Sequence, residues 1–279
     1  MTVTAFAPGH VTGFFEICPA DDPMLAGSRG AGICLSRGAM ATVERQNAKT
    51  TVSVDGVPGG PVTRDAIQRL TDRHIAAEIT LQLPQSQGFG MSAAGTLAAA
   101  IAVAELCGLP REMAVRAAHV AEVRHATGLG DVVPAALGGI EIRETPGAAG
   151  AIRHIGGGDQ VVVATVGPPM ETSWVLHDAE RAAMITRVGR RCMEKLLAEP
   201  SLERLFALSR RFARETGLLP AEVGRVLAAV EPHGRAAMCM LGNAVFAMGD
   251  TAALVDTLSR YGDVWVCDID RRGARPLEK

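Results

Sequence analysis

The segment QGFGMSA, residues 87–93, joins a glycine-rich turn to an alanine-rich run that should form a helix. The first amides of a helix have no partner inside the helix and lie at the positive end of its dipole. A flexible glycine loop placed before such amides can hold an anion, commonly a phosphate group. Ser92 lies at the junction between loop and helix. The segment therefore predicts an anion site.

Two nucleotide-binding patterns fit this loop poorly. A P-loop ends in a lysine that reaches the terminal phosphates, and no lysine of this chain lies beside a glycine loop. Gly88, Gly90 and Ala93 match the dinucleotide fingerprint GxGxxA, but no acidic residue ends a second strand at the expected distance. A dinucleotide oxidoreductase therefore stays a weak alternative.

The same loop also approaches the nucleophile elbow of serine hydrolases. GMSAA differs from GxSxG by Ala94 in place of the second glycine. Asp131 followed by His154 or His233 would complete the chain order Ser, Asp, His. The missing glycine argues against this chemistry, because elbow glycines relieve crowding. A purely structural alternative is that Ser92 caps the helix.

Composition predicts a globular chain without a polyanionic partner. The chain has 279 residues, 48% of them hydrophobic and 21% charged, and a formal net charge of -2. No run of like charge is visible, so nucleic acid is not expected. The N-terminus lacks a secretory pattern, and the apolar residues 97–104 are too few to span a bilayer. We expect a cytoplasmic protein with no membrane partner.

Cysteine and histidine spacing argues against a zinc protein. The six cysteines are scattered without a CxxC pair, and the seven histidines contain no HExxH pair. The cysteines also do not form a dense disulfide framework. Free, mostly buried thiols are expected.

The first half of the chain should be rich in strands. Strands are predicted at residues 3–7 and 39–46 and within TTVSVDG, AAEITLQLP and LGGIEIRE, with APGHVTGFF forming a loop after the first strand. The alanine-rich helix should end near Gly108 and Pro110, and a second helix should cover residues 111–126.

The second half reads as α+β. Residues 145–159, TPGAAGAIRHIGGGD, are rich in glycine and alanine and are the best boundary candidate, which gives domains 1–150 and 151–279. QVVVATVG is then a strand, and three helices are predicted between Asp178 and Val230. A strand, a second strand, a helix and a last strand follow, typical of a sheet with helices on one face.

Together these motifs resemble the GHMP kinase superfamily of small-molecule kinases. PQSQGFGMSAAG is similar to the family's phosphate loop, and APGHVTGFFE is similar to its N-terminal motif. GLGDVVPAALGG resembles the segment in which an acidic residue, here Asp131, precedes a GG pair by seven positions. AAMCMLGNAVFAMG occupies the position of the C-terminal glycine-rich turn. The resemblance covers the chain from end to end.

The resemblance implies a two-domain α+β GHMP kinase fold. An N-terminal nucleotide-binding α+β domain with a left-handed crossover would precede a C-terminal ferredoxin-like domain. Within the superfamily, the histidine of APGHVTGFF and the segment GSRGAGICL are most similar to archaeal pantoate kinases. The implied activity is phosphorylation of the terminal hydroxyl of pantoate by ATP with Mg²⁺, in a homodimer. Kinases of homoserine, mevalonate or shikimate, or a non-catalytic metabolite-binding member, are the alternatives.

The resemblance also assigns residues to the nucleotide, the metal and the chemistry. Ser92 and Glu122 would bind the metal, and Asp131 would act as the base or orient the substrate hydroxyl. His119 and His125 flank Glu122 at helical spacing, which predicts a polar stripe on that helix. The nucleotide would be held by Gln87, Gly88, Phe89, Gly90, Met91, Ser92 and Ala93.

A small acid substrate needs a cation for its carboxylate. In GGIEIRE, strand alternation places Glu141 and Arg143 on one face, so Arg143 is a candidate close to Asp131. Arg29 is the alternative. The remaining candidates for the substrate are Ser28, His119, His10 and Thr172.

Overall fold

The computed structural model describes residues 1–170 and 178–278. One sheet has the strand order β12-β1-β2-β5-β3-β4, and β6 and β7 extend it from β2. Its pairs are antiparallel except for β3 with β5. The strands are β1 Thr2–Cys18, β2 Gly27–Arg45, β3 Thr51–Val54, β4 Val57–Pro58, β5 Ile75–Leu81, β6 Ile140–Arg143, β7 Ile152–Ile155 and β12 Arg275–Pro276.

The prediction of a loop at APGHVTGFF is wrong. Strand β1 continues through this segment for 17 residues and pairs along its length with β2. Register shifts at Pro8/Gly9 and Thr12/Phe14 absorb the irregular residues as bulges. Glycines in β2 permit the close pairing, since a Cβ on Gly38 would lie 2.0 Å from the carbonyl oxygen of Ala7.

Helices cover this sheet and include the predicted alanine-rich helix. They are α1 Pro61–Leu70, α2 Met91–Cys107, α3 Arg111–Arg124 and α4 Val132–Leu137. Nearly every residue of α2 is buried, because its small side chains let it pack against β1, β2 and α3 at once. The predicted helices α2 and α3 are confirmed. Helix α1 was not predicted, although Pro61 in its first turn is a usual start signal.

The second sheet has the strand order β11-β8-β10-β9 and is antiparallel. Its strands are β8 Gln160–Thr165, β9 Gly234–Met238, β10 Ala244–Gly249 and β11 Val264–Asp268. Its helices are α5 Ala179–Ala198, α6 Leu202–Glu215, α7 Ala221–Val230 and α8 Thr251–Leu258. The chain order strand, helices, strand, strand, helix, strand matches the expected ferredoxin-like arrangement. The three helices predicted between the first two of these strands are confirmed.

The two sheets share one continuous hydrophobic core. Helix α5 lies directly on β1, and a Cβ on Gly189 would lie 2.0 Å from the carbonyl oxygen of Phe15. Strand β7 pairs with β6 and β12 pairs with β1, so segments beyond residue 150 complete the first sheet. The division at residues 150 and 151 stays a prediction.

The cysteines are free, as expected, and most are buried. Within residues 1–170 and 178–278, no helix is long and apolar enough to cross a membrane.

Candidate active site

The glycine loop turns sharply into α2. Ser86, Gly88 and Gly90 have left-handed backbone conformations, with φ of 57°, 77° and 66°. Gly90 is the residue before the first turn of α2 and makes no side-chain cap. The helix's first internal bond joins Ala94 N to Gly90 O at 2.9 Å, so the earlier amides have no partner within the helix. The alternative in which Ser92 caps the helix is wrong, because Gly90 occupies that position.

Distant segments support the loop from behind. The amide of His10 donates to the carbonyl of Phe89 at 3.0 Å. The turn between β9 and β10 packs closely against the glycine loop, since a Cβ on Gly242 would lie 2.1 Å from the backbone carbonyl oxygen of Gln87. The Gln87 side chain donates to the carbonyl of Gly167 at 3.0 Å. Both sheets therefore fix the backbone of the loop.

A cavity of about 450 Å³ opens over the loop. Its walls come from β1, the glycine loop, the segment from Glu122 to Asp131, β6, and the turn between β9 and β10. Met170 and Leu241 add apolar surface to it. Such a volume suits a small-molecule site, and here the loop amides, two carboxylates and one arginine border the same space.

Ser92 and Glu122 form a hydrogen-bonded pair in this cavity. The Ser92 hydroxyl donates to Glu122 Oε1 at 2.8 Å, and Thr127 donates to Glu122 Oε2 at 2.9 Å. Burial raises the pKa of Glu122 to about 7, and the hydrogen bonds from Ser92 and Thr127 only partly oppose this shift. A buried carboxylate beside a hydroxyl is an oxygen donor set that fits Mg²⁺.

Asp131 begins α4, but its side chain does not cap that helix. Its Oδ1 lies 2.8 Å from His10 Nδ1 and accepts from the Thr12 hydroxyl at 3.1 Å. Burial would raise the pKa of Asp131, but the hydrogen bond and charge of His10 outweigh it, so the pKa is lowered. The side chain is 28% exposed and borders the cavity. Asp131 is therefore an ionised acceptor facing the cavity.

Arg143 also borders the cavity and shares Thr12 as a hydrogen-bond partner with Asp131. Its Nη1 donates to Glu141 Oε1 at 2.6 Å, and its Nη2 donates to the Thr12 hydroxyl at 3.4 Å. The expectation that Glu141 and Arg143 share one face of the strand is confirmed. Arg143 Nε is buried and has no hydrogen-bond partner within the described residues. This orphaned donor fits an acceptor supplied from the cavity, such as a carboxylate.

The other predicted substrate residues are divided between the cavity and its surroundings. Ser28 borders the cavity. Arg29 donates two hydrogen bonds to Glu16, at 2.9 and 2.6 Å, and does not border the cavity. His10 lies beneath the floor, and Thr172 lies outside the described residues.

The two histidines of the predicted polar stripe on α3 lie in different surroundings in the structure. His119 is buried and its Nε2 lies 3.0 Å from the carbonyl oxygen of Ala26. Burial lowers the pKa of His119. His119 borders a small space of about 10 Å³ next to the main cavity, whereas His125 pairs with Asp65 at 3.4 Å and borders the main cavity itself.

Sequence reasoning missed two polar partners of the site, Thr12 and Glu141. Thr12 was read as part of a loop, although its position two residues after His10 on a strand would have placed both on one face. Glu141 was noted only for its face of the strand. Met240 and Leu241 lie in the segment that resembles the C-terminal glycine-rich turn, and they reach the cavity because the second sheet packs on the glycine loop.

The geometry contradicts the serine hydrolase alternative. The Ser92 hydroxyl donates to Glu122, and the histidine bound to Asp131 is His10. The Nε2 of His154 lies 2.7 Å from the carbonyl oxygen of Gly138 instead. Ser92, Asp131 and His154 therefore do not form a catalytic triad.

Known proteins resemble this chain over nearly its whole length. The family described as "GHMP kinases N terminal domain" matches residues 62–139. The pantoate kinase of Methanospirillum hungatei JF-1 is 36% identical, over 97% of this chain and 95% of that protein. The pantoate kinase of Thermococcus kodakarensis is 35% identical, over 89% of this chain and 88% of that protein.

A solved structure agrees with these sequence relatives. The structure described as "Phosphotransferase related to CoA biosynthesis pathway" has a TM-score of 0.90 and 29% identity, and the match covers 99% of this chain and 98% of that one. Identity above 30% over nearly complete chains, together with the matching first-domain segment, establishes a common family. The chain belongs to the GHMP kinase family.

Proposed function

We propose that the protein transfers the γ-phosphoryl group of ATP to the terminal hydroxyl of pantoate, which gives 4-phosphopantoate on the route to coenzyme A. The observation that carries this proposal is the single cavity that joins the glycine loop, Asp131 and Arg143. The pantoate kinase relatives supply the identity of the acid. The same arrangement supports phosphoryl transfer over the dinucleotide oxidoreductase alternative.

The glycine loop is the proposed phosphate site. The amides at the start of α2 point their dipole at bound phosphates, and backbone donors replace the lysine of a P-loop. Gly88 and Gly90 keep this backbone in left-handed conformations that other residues adopt at a cost.

Ser92 and Glu122 are the proposed metal ligands. When bound there, Mg²⁺ would neutralise charge on the phosphates. Within the described residues, no group of three or more His, Cys, Asp or Glu side chains could hold a metal ion alone. Phosphate oxygens and water would therefore complete the coordination, as is usual for Mg²⁺.

Arg143 is the proposed site for the substrate carboxylate, with Ser28 beside it on the cavity wall. Its free Nε–H would donate to the acid, and its charge would hold the anion. Because Arg29 is already paired with Glu16, it is the weaker candidate.

Asp131 is proposed to orient the attacking hydroxyl. Its lowered pKa makes the carboxylate a weak base, so its main role is to accept a hydrogen bond from the hydroxyl. The hydroxyl oxygen bonds to the γ-phosphorus while the bond from that phosphorus to the bridging oxygen of ADP breaks, and the hydroxyl proton passes to Asp131 as the new bond forms and from there to solvent. Positioning contributes most to such a loose transition state.

One assay tests the proposed function. ADP release would be measured with ATP and Mg²⁺ against pantoate, homoserine, mevalonate and shikimate. Pantoate should give the highest kcat/KM. Turnover of another alcohol in preference to pantoate would overturn the substrate, and binding of an ATP analogue without turnover of any alcohol would overturn the kinase activity.

The homodimer implied by the resemblance stays a prediction, as does the cytoplasmic location. Light scattering of the purified chain would measure the oligomeric state.

A further inference from the structure

Glu141 is a fully buried carboxylate to which the proposed mechanism gives no role. Its Oε1 accepts two hydrogen bonds, from His10 Nε2 at 2.9 Å and from Arg143 Nη1 at 2.6 Å. Its Oε2 is buried and has no hydrogen-bond partner within the described residues. A buried carboxylate is costly unless it is paired, so its retention at this place needs a reason.

His10 connects this carboxylate to Asp131. Ionised carboxylates only accept hydrogen bonds, and the two ring nitrogens of His10 face one carboxylate each. Both nitrogens must then carry protons, so the ring is an imidazolium. Although burial by itself lowers the pKa of His10, the bonds to Asp131 and Glu141 raise it above its ordinary value.

The ring fits this place because of a glycine on the neighbouring strand. A Cβ on Gly32 would lie 2.4 Å from His10 Nε2. With His10 and Arg143 cationic and Asp131 and Glu141 anionic, the buried cluster has balanced charge. The thiol of Cys34 lies nearby and donates to the carbonyl of Pro134, outside the chain of contacts.

We propose that Glu141 is a positioning residue that holds Arg143 directly and Asp131 through His10. The proposal rests on the proposed function, because these are the two groups assigned there to the acid substrate. The Oε1 atom of Glu141 thereby sets the position of Arg143, the proposed carboxylate site, relative to Asp131, the proposed acceptor for the substrate hydroxyl. A misplacement of about 1 Å between such groups can lower a rate by roughly 10²-fold.

Replacing the carboxylate by an amide tests the charge in this chain of contacts. Glu141→Gln keeps the shape but removes the anion that faces His10 Nε2 and Arg143. The pKa of His10 should then fall because one of the two anions that raise it is gone, and the pKa of Asp131 should rise because the ring beside it is charged less often. The control is Glu78→Gln, at an exposed position of strand β5 in the same sheet.

The first measurement is the protonation of His10 by ¹⁵N NMR, with its signals assigned by their loss in His10→Gln. At each pH compared, the protonated fraction of the His10 ring should be lower in Glu141→Gln than in wild type and Glu78→Gln. An unchanged pKa of His10 in Glu141→Gln would overturn the proposal. This measurement needs no substrate, so it stays decisive even if pantoate is not phosphorylated and the proposed function fails.

The second measurement is the pH dependence of kcat and the KM for pantoate. At saturating ATP and Mg²⁺, which would keep the proposed metal ligand Glu122 ionised, Glu141→Gln should lower kcat by about 10- to 100-fold, raise the KM for pantoate and move the acidic limb of the kcat profile to higher pH. A loss of activity with an unmoved acidic limb would point to a merely structural role and would overturn the proposal.

A second variant covers the case in which Glu141→Gln does not fold. Glu141→Asp keeps the charge but shortens the side chain, so His10 should stay doubly protonated while kcat still falls, by about 10-fold. The proposal is wrong if Glu141→Asp matches the Glu78→Gln control in both kcat and the KM for pantoate.

Discussion

Asp131 is held at one oxygen while the rest of its side chain faces the cavity. Both internal hydrogen bonds that it accepts from described side chains end on Oδ1, from His10 and Thr12. This leaves Oδ2 as the acceptor proposed for the substrate hydroxyl. The resemblance to the family motif indicated the importance of Asp131, but His10 lies 121 residues away in the chain, and only folding brings the two together.

Asp131→Asn should lower kcat by about 10²-fold or more, because the amide keeps the bond to His10 but loses the charge that orients the hydroxyl. ATP affinity should change little, since Asp131 is not assigned to the phosphates. Steady-state ADP release and calorimetric titration with an ATP analogue measure the two effects. Unchanged turnover would remove Asp131 from the mechanism.

Arg143→Lys should raise the KM for pantoate by about 10-fold or more, with a much smaller effect on the KM for ATP. An ammonium group replaces the rigid fork that reaches Glu141, Thr12 and the proposed carboxylate. Arg153→Lys is the matched control, because Arg153 lies on the neighbouring strand β7 and is half exposed. Equal changes in both Michaelis constants would instead indicate a general disturbance of the fold.

At the scale of elements, the two ends of α2 offer a matched comparison. Gly90 before the helix and Gly108 after it both have left-handed backbones, with φ of 66° and 69°. A Cβ on Gly90 would lie 3.0 Å from the His10 oxygen, whereas nothing lies within 4 Å of a Cβ on Gly108. Substitution of Gly108 therefore tests backbone strain alone, whereas substitution of Gly90 tests backbone strain together with contact with the site.

Gly108→Ala should lower the free energy of unfolding by about 1 kcal/mol through backbone strain alone. Gly90→Ala should lower it at least as much and also weaken ATP binding several-fold, because the loop amides must move. Urea unfolding and calorimetric titration measure the two effects. Undisturbed ATP binding in Gly90→Ala would argue against the loop as the phosphate site.

Strand β1 explains why element boundaries were the weakest part of the prediction. Its proline and glycines are ordinary loop signals, but cross-strand pairing with β2 overrides them. Helix α2 was predictable because its composition and its glycine boundaries are local features.

At the scale of the molecule, Glu122 makes stability depend on pH. Its folded pKa of about 7 lies above the ordinary value of 4.5, so the folded state binds more protons than the unfolded state between these values. Stability should therefore fall as pH rises through this window, by about 3 kcal/mol in all, and level off above it.

The glutamine side chain of Glu122→Gln cannot ionise, so this variant should not lose stability as pH rises through the window. Without metal or nucleotide, and with a chelator present, it should be more stable than wild type at pH 8, and the difference should vanish near pH 4.5. Thermal unfolding across this range measures the effect. Glu105→Gln, an exposed position on α2, is the control, and a difference independent of pH would contradict the prediction.

The contiguous motifs were sufficient to identify the family and helices α2 and α3, and the resemblance pointed to Ser92, Glu122 and Asp131, which border one cavity in the structure. Each of these depends on short stretches of chain, where residue type and spacing limit the conformation directly. The pairing of Arg29 with Glu16 and the linkage of Asp131 to Glu141 through His10 required the folded molecule. These contacts join different elements, consecutive strands for Arg29 with Glu16 and segments distant in sequence for Asp131 and Glu141 with His10, and bulges in β1 set which side chains meet, so no local pattern encodes them.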